Sequence, residues 1–396
     1  MIIADPSLSS YRVSTGQGLD GVALVRANTN LGTASLIYDG RLVVTAAHVV
    51  YGQDPASIRL TFFTATGEYG RTAQRVLVHP DYAPGGTAAD IALVWLSSPA
   101  PHIANRYGLY RLTDEVGQSF EMAGFGSTGS GLTGAMPSTS GRLHKAVNTF
   151  DADSATFGQA VWPRPSWLPS SPTQLVADFD NGTAAQDALG AILGRSNLGL
   201  GPREGMIGPG DSGSPAFING LIAGVGSYIS SSIASPSTDI DGVANSSFGE
   251  VGFWQRVSSF QQFIDQAARA QLPGAPTRAA EVQTTVTEGN GTTTLTYFLV
   301  EISGELAAPG SNFSVDFATR DGTAKAGEDY IAHAGTLVFY PGERSAVILV
   351  EIISDWRPEP REEFYLDIFN PVGGSFPFGV AMLTAVRTIL DDDWFV

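Results

Sequence analysis

The sequence predicts an all-β protein built in two blocks, and three observations carry that prediction. The 396 residues include 46 Gly and 23 Pro, a turn density that suits short strands better than long helices. The first block holds two-residue hairpin signals. Asp39-Gly40 lies between the apolar runs Leu36–Tyr38 and Leu42–Val44, and Asn219-Gly220 lies between Ala216–Ile218 and Leu221–Ala223. In the second block, apolar and polar residues alternate with period two. Phe313, Val315 and Phe317 form one such row, and Phe364, Leu366 and Ile368 another.

Each block can be placed from its ends. Further apolar runs, Arg75–Val78 and Ile91–Trp95, add strands to the first block. The stretch from Ser130 to Arg203 is loop-rich, with a short helix expected near Ala184 to Leu193. Phe260, Phe263, Ile264 and Ala267 recur at helical spacing within Ser258 to Ala270. Gln271-Leu-Pro-Gly-Ala-Pro-Thr277 follows, with two prolines and a glycine to stop the helix. The expected organisation is a first domain over 18–270, a linker over 271–278 and a second domain over 279–396. Alternating strands and Gly-containing turns make the second domain a β-sandwich.

Composition excludes several classes. A formal net charge of -17 repels nucleic acid and anionic membrane, which are bound through excess Lys and Arg. The same acidity suits simple solubility or cation binding. The absence of cysteine removes disulfides, thiolate nucleophiles and Cys-based zinc sites. No apolar run reaches the length of a membrane span. Residues 1–12 lack the basic and apolar regions of a secretory signal peptide, so export is expected after removal of a leader or by another route.

Three segments carry chemistry. Val43-Val-Thr-Ala-Ala-His48 ends an apolar strand on a histidine crowded by small residues. Ala89-Asp-Ile-Ala-Leu-Val94 opens a buried strand with an acid, which needs partners because a lone buried carboxylate is costly. Gly208-Pro-Gly-Asp-Ser-Gly-Ser-Pro215 sets a serine between glycines, where the backbone can turn sharply and present the hydroxyl. The order of these segments, with Val78-His-Pro-Asp-Tyr82, Ala123-Gly-Phe-Gly126 and Gly252-Phe-Trp-Gln-Arg-Val257, resembles the trypsin-like (chymotrypsin-fold) serine protease family over about Gly18 to Ala270. The resemblance implies a double β-barrel with Ser212 as nucleophile, His48 as general base and Asp90 orienting the imidazole. It implies an oxyanion hole from the amides of Gly210 and Ser212, and no cofactor for catalysis. Ser214 stands where the family usually has glycine. His79, His102, His144 and His333 are given no catalytic role.

The same resemblance places substrate-binding residues. Met206 forms the base of the primary pocket, with Ser227, Tyr228, Ile229 and Gly252 in its walls, and Ile229 replaces a usual glycine. None is acidic, which implies an apolar residue before the scissile bond. A competing alignment puts Glu204 at the base and implies basic specificity. In many relatives a freed amino terminus pairs with the acid before the serine, here Asp211. Gly18-Leu-Asp-Gly21 has no Arg or Lys just before it, so the partner of Asp211 is left open.

In the second block, Val286-Thr-Glu-Gly289, Val315-Asp-Phe-Ala-Thr-Arg-Asp-Gly-Thr-Ala324, Ala326-Gly-Glu-Asp-Tyr330, Phe339-Tyr-Pro-Gly-Glu343 and Thr388-Ile-Leu-Asp-Asp-Asp393 resemble the Calx-beta domain, an immunoglobulin-like sandwich. By that resemblance calcium is held by Glu288, Asp321, Asp355, Glu359, Glu362, Asp391, Asp392 and Asp393, a donor set of the oxygen type calcium takes. A degenerate site is the competing reading.

The expected function is a serine endopeptidase acting on polypeptides, secreted or at the cell surface, of bacterial type, with a calcium-binding accessory domain. The alternative is a non-catalytic adhesion or scaffold protein in which both domains only bind. The ending Asp393-Trp-Phe-Val396 resembles the terminal signature of type I export, or else packs on the sandwich.

Overall fold

The computed structural model describes residues 1–231, 237–304 and 311–393, so Trp394 to Val396 of the expected export signature lie outside the described residues. The chain divides into two compact units. One holds 1–37, 41–100 and 104–261, and the other 38–40, 101–103 and 262–396. Residues 1–17, left out of the expected first domain, belong to the first unit.

The first unit begins with a closed barrel. Its order is Val22–Ala27, Asn30–Ile37, Leu42–Thr45, Ala92–Leu96, Gly67–Val78 and Ile58–Thr64, returning to Val22–Ala27. Val25, Leu36, Val43, Leu60, Phe62 and Val94 fill it. The expected Asp39-Gly40 hairpin closes with Ile37 opposite Leu42.

The second half of this unit, the second barrel of the expected fold, is built on a sheet of seven strands. Its order is His144–Thr149, Ser119–Gly124, Pro215–Ile218, Leu221–Ser230, Val251–Arg256, Gln174–Asp178 and Ala152–Asp153. A small sheet accompanies it, in which Ile2 and Ile3 pair antiparallel with Met206 and Gly205. Phe120, Phe150 and Trp254 cluster in the core, with the first two rings stacked at 3.9 Å. The Asn219-Gly220 hairpin closes with Ile218 opposite Leu221. Its two turn residues have φ of 51° and 78°, the pair of positive angles a tight two-residue hairpin requires. The short helix expected near Ala184 is found at Ala188–Leu193, capped by Asp187, whose carboxylate accepts the Gly190 amide at 2.6 Å. The helix expected from Ser258 runs over Val257–Arg269.

The second unit is the expected sandwich. A five-stranded sheet of order Thr285–Thr287, Met382–Leu390, Glu362–Val372, Phe313–Asp321 and Ala334–Phe339 faces the pair Thr293–Glu301 and Ser345–Ile353. The alternating Phe313, Val315 and Phe317 point into a core shared with Phe298, Ile348, Val350, Phe364 and Leu366. No helix among the described residues is long and apolar enough to cross a membrane.

Candidate active site

His48 sits on the one-turn helix Ala47–Val50 that follows the barrel strand Leu42–Thr45. Packing fixes the turn, since Ala46, Ala47, Val49 and Val50 are all buried. Asp90 lies just before Ala92–Leu96, the strand hydrogen-bonded to Leu42–Thr45, so the barrel brings the two residues together. The Asp90 carboxylate is buried and fully used. Oδ1 accepts the His48 amide at 2.8 Å. Oδ2 lies 2.7 Å from His48 Nδ1 and accepts the Ser227 hydroxyl at 2.5 Å. With an ionised acceptor, these bonds are of the strong charge-assisted kind. A carboxylate facing Nδ1 favours the tautomer with its proton there, which directs the ring's lone pair to Nε2.

Ser212 is set by the two glycines around it. Gly210 has φ of 94° and Gly213 has φ of 87°, angles that an L side chain rarely adopts. Space forbids a side chain as well. A Cβ on Gly213 would lie 2.1 Å from the Thr33 carbonyl oxygen, and one on Gly210 would lie 2.9 Å from Leu31 Cδ2. Ser212 is anchored through its own carbonyl, which accepts the Thr33 amide at 2.8 Å, while the Gly213 amide donates to Gly226 at 2.7 Å. The amide of Asp211 turns inward to the Gly208 carbonyl at 2.9 Å. Among the described residues, the amides of Gly210 and Ser212 have no acceptor, as donors waiting for an oxyanion must. Ser214, in place of the family's glycine, is fully buried, and its hydroxyl has no partner among the described residues.

The partner of Asp211 is the amino group of Met1, 2.6 Å from Oδ2, with both groups fully buried. The amides of Gly126 and Gly208 complete the carboxylate at 2.8 and 2.9 Å. A Cβ at Gly126 would fall 2.5 Å from the Asp211 carboxyl carbon, so the glycine there makes room for the acid.

The five expected substrate-binding residues share one region. Tyr228 and Ile229 lie opposite Phe253 and Gly252 in adjacent strands. Met206 is buried, and a Cβ on Gly252 would meet its sulfur at 2.4 Å. Tyr228 stacks on Phe253 at 4.5 Å and donates to Gln174 at 2.8 Å. Ser227, expected only as a wall, also holds Asp90. Glu204, the rival base, is buried elsewhere. Its carboxylate accepts the amides of Asp180, at 2.8 Å, and Leu200. Burial pushes its pKa up to about 7.

In the second unit, carboxylate oxygens of Asp329, Glu359 and Glu362 lie within 4.8 Å of one another. Burial, then repulsion from Asp329, pushes Glu362 up to about 7. Burial raises Glu288 to about 7 also, with repulsion from Asp355, Glu359 and Asp391 adding to it. Desolvation, then repulsion from Asp391 and Asp392, raises Asp393. Asp321 stands apart from the expected set, because its Oδ1 accepts the Tyr330 hydroxyl at 2.6 Å and the Ala326 amide at 3.0 Å. Those bonds hold its pKa below the usual range. Asp329 was missed, although it stands inside Ala326-Gly-Glu-Asp-Tyr330.

Comparison with known proteins agrees with this division. The trypsin family model matches residues 16–151, which include His48 and Asp90 but end before Ser212. The Calx-beta domain model matches residues 279–393. The chain therefore joins a trypsin-family region to a Calx-beta domain.

Among curated proteins, sodium/calcium exchanger 2 of Homo sapiens is 45% identical over 96 residues, 21% of this chain and 10% of that protein. Sodium/calcium exchanger Calx of Drosophila melanogaster is 42% identical over 80 residues, 20% of this chain and 8% of that protein. The chain thus spans about a tenth of the length of these relatives. Both are animal proteins, and neither bears on the bacterial type expected from the sequence. Two solved structures are similar to the chain. Neuropsin, a serine protease of mouse brain, is 17% identical with a TM-score of 0.48, covering 65% of this chain and 98% of its own. An inactivated protease paralogue of the scabies mite is 19% identical with a TM-score of 0.49, covering 67% and 99%.

Proposed function

We propose that the first unit is a serine endopeptidase that hydrolyses polypeptides through an acyl-enzyme. The single observation that supports this best is the wiring of Asp90, buried and bonded to both His48 nitrogen Nδ1 and Ser227. That wiring suits an imidazole that gains and loses a proton at Nε2. His48 takes the proton of Ser212 Oγ as the oxygen attacks the peptide carbonyl, and later returns it to the leaving amine. The imidazolium formed between these steps is stabilised by Asp90, and the carbonyl oxygen, as it gains charge, is met by the Gly210 and Ser212 amides. One such donor is worth about 3–4 kcal/mol in the transition state. Ser212→Ala should abolish casein hydrolysis. A folded Ser212→Ala chain that cleaves casein at the parental rate would refute the triad assignment, and a folded parent chain that cleaves no casein would leave the binding-only alternative.

Buried Met206 beside Gly252 supports an apolar primary pocket, so substrates with Ala, Val or Leu before the cut should be preferred to those with Arg. Preference for Arg, lost in Glu204→Gln, would reverse this assignment.

The second unit binds calcium in this reading, through Asp329, Glu359 and Glu362, with Glu288, Asp355 and Asp391 to Asp393 nearby. An all-carboxylate group with mutual repulsion suits a hard dication. Calcium serves stability there and takes no part in peptide hydrolysis. An unchanged melting temperature on adding chelator to the calcium-equilibrated chain would refute it. The same reading places the protein outside the cell, where calcium is plentiful; secretion from a host with a type I exporter, compared with and without Trp394 to Val396, tests the route.

A further inference from the structure

A second group of carboxylates lies in the first unit, and nothing in the catalytic arrangement uses it. Oxygens of Asp178, Asp180 and Asp187 lie within 4.8 Å of one another. The three residues are 1%, 2% and 3% exposed. Asp178 ends the strand Gln174–Asp178, Asp180 follows it, and Asp187 caps the helix Ala188–Leu193. Asp151 and Glu204 stand beside them, as their mutual repulsion records.

The partners of these oxygens are unevenly shared. Asp187 Oδ1 accepts the Gly190 amide and Oδ2 the Ser196 hydroxyl, both at 2.6 Å. Asp178 Oδ2 accepts the Leu189 amide at 2.6 Å. Asp151 Oδ1 accepts Asn197 Nδ2 at 2.7 Å. Against these, Asp178 Oδ1, Asp180 Oδ1 and Asp151 Oδ2 are buried without a hydrogen-bond donor among the described residues, and the Asp151 and Asp178 carboxylates meet each other, a contact that needs a shared proton or a cation. None of the five acids forms an ion pair among the described residues. A buried, unpaired carboxylate is among the costliest groups a fold can hold, and three acceptors left over at one place mark a missing positive partner.

We propose that the first unit binds a calcium ion at Asp178, Asp180 and Asp187, backed by Asp151 and Glu204. The donors are oxygen alone, with no imidazole or thiolate among these five acids, which suits a hard cation rather than zinc. Calcium accepts several carboxylates in irregular geometry. The ion would tie the segment between Asp178 and Glu204, with its short helix, to the strand that carries it. The site is distinct from the acids of the second unit and does not depend on how those are read.

The test uses the full chain in a Ser212→Ala background, to prevent self-cleavage, with Asp329→Asn, Glu359→Gln and Glu362→Gln neutralising the three clustered acids of the second unit. Calcium binding is followed by equilibrium dialysis at neutral pH. The expected result is one calcium equivalent per chain that disappears when Asp178→Asn and Asp180→Asn are added. A folded chain with both added changes that binds as much calcium overturns the proposal, as does no binding before they are made. Should the added changes prevent folding, limited proteolysis of the chain without them decides. Calcium must slow cleavage between residues 179 and 203 at least severalfold relative to chelator, and unchanged cleavage there overturns the site.

Discussion

Two sets of buried acids in the first unit, a few strands apart in sequence, are treated in opposite ways by the fold. Asp90 and Asp211 have both oxygens taken, by His48 and Ser227 in one case and by Met1, Gly126 and Gly208 in the other. Asp151, Asp178 and Asp180 each keep an oxygen with no hydrogen-bond donor among the described residues. Burial pushes Asp151 up to about 6 and Asp180 to about 10, with neighbouring acids adding to the second shift. An acid that is fully partnered inside the protein is part of the fixed machinery. An acid that is buried and left short is held ready for a cation or a proton. The contrast separates acids whose partners lie within the protein from acids whose partner must come from outside, and experiment can test it.

The largest effect is expected at the catalytic end. His48→Ala should lower kcat about 10⁶-fold, since triad members act as a unit. Asp90→Asn, which keeps the shape but misdirects the tautomer, should cost about 10⁴-fold. Steady-state kinetics on folded variants check both, and losses under tenfold would break the assignment.

Asp211→Asn comes next. It leaves the Met1 ammonium buried without its charge partner, and breaking such a pair costs about 3–5 kcal/mol. Urea denaturation should show the loss as a lower midpoint at unchanged slope. Activity should fall with it, because Asp211 precedes Ser212 and its amide shapes the turn. A variant as stable as the parent would show that the ion pair contributes nothing.

Gly210→Ala sharpens the same region. Its φ of 94° and the 2.9 Å approach to Leu31 leave no room for a methyl group. The turn must shift and carry an oxyanion donor with it, so kcat should fall by about 10²–10³ with KM little changed. A change confined to KM would instead place Gly210 in ground-state binding.

The smallest effect concerns His144, whose pKa burial pushes below the usual imidazole value, with the Met1 ammonium adding to it. A depressed imidazole pKa means that the unfolded chain takes up a proton first as the pH falls. The stability that neutral His144 confers is therefore present above about pH 6.5 and is lost progressively below it. His144→Phe, which retains a ring against Tyr11, should make the decline in melting temperature from pH 7 to 5 shallower. An unchanged decline would assign it to other groups.

Much of this architecture is legible in the sequence where the signal is local. Asn219-Gly220 names its hairpin because two adjacent residues suffice for the turn, whereas the hairpin at Asp39-Gly40 closes over four residues, 38–41, which the dipeptide alone does not show. Ser212 is legible because the glycines that shape its turn are its neighbours. The sheet containing Ile2 and Ile3 is not legible, since two-residue strands carry no period and pair with residues about 200 positions away. For the same reason the ammonium partner of Asp211 could not be read. The second barrel is legible through the resemblance, while its division into a seven-stranded sheet and a small four-stranded one is set by strand pairing. The acids at Asp151, Asp178, Asp180, Asp187 and Glu204 are spread over more than fifty residues, four of them within the loop-rich stretch from Ser130 to Arg203, where no periodicity points to them. Asp329 was within reach, as an acid beside a buried tyrosine in a motif already noted, but only the register of the sandwich brings it to Glu359 and Glu362.

The most direct measurement is labelling with a serine-directed phosphonate, followed by mass spectrometry of the modified peptide. The account predicts one adduct per chain on Ser212 Oγ, with labelling suppressed at least a thousandfold in folded His48→Ala. Absence of an adduct on the folded parent chain, or an adduct on Ser212 that forms equally fast without His48, would contradict it.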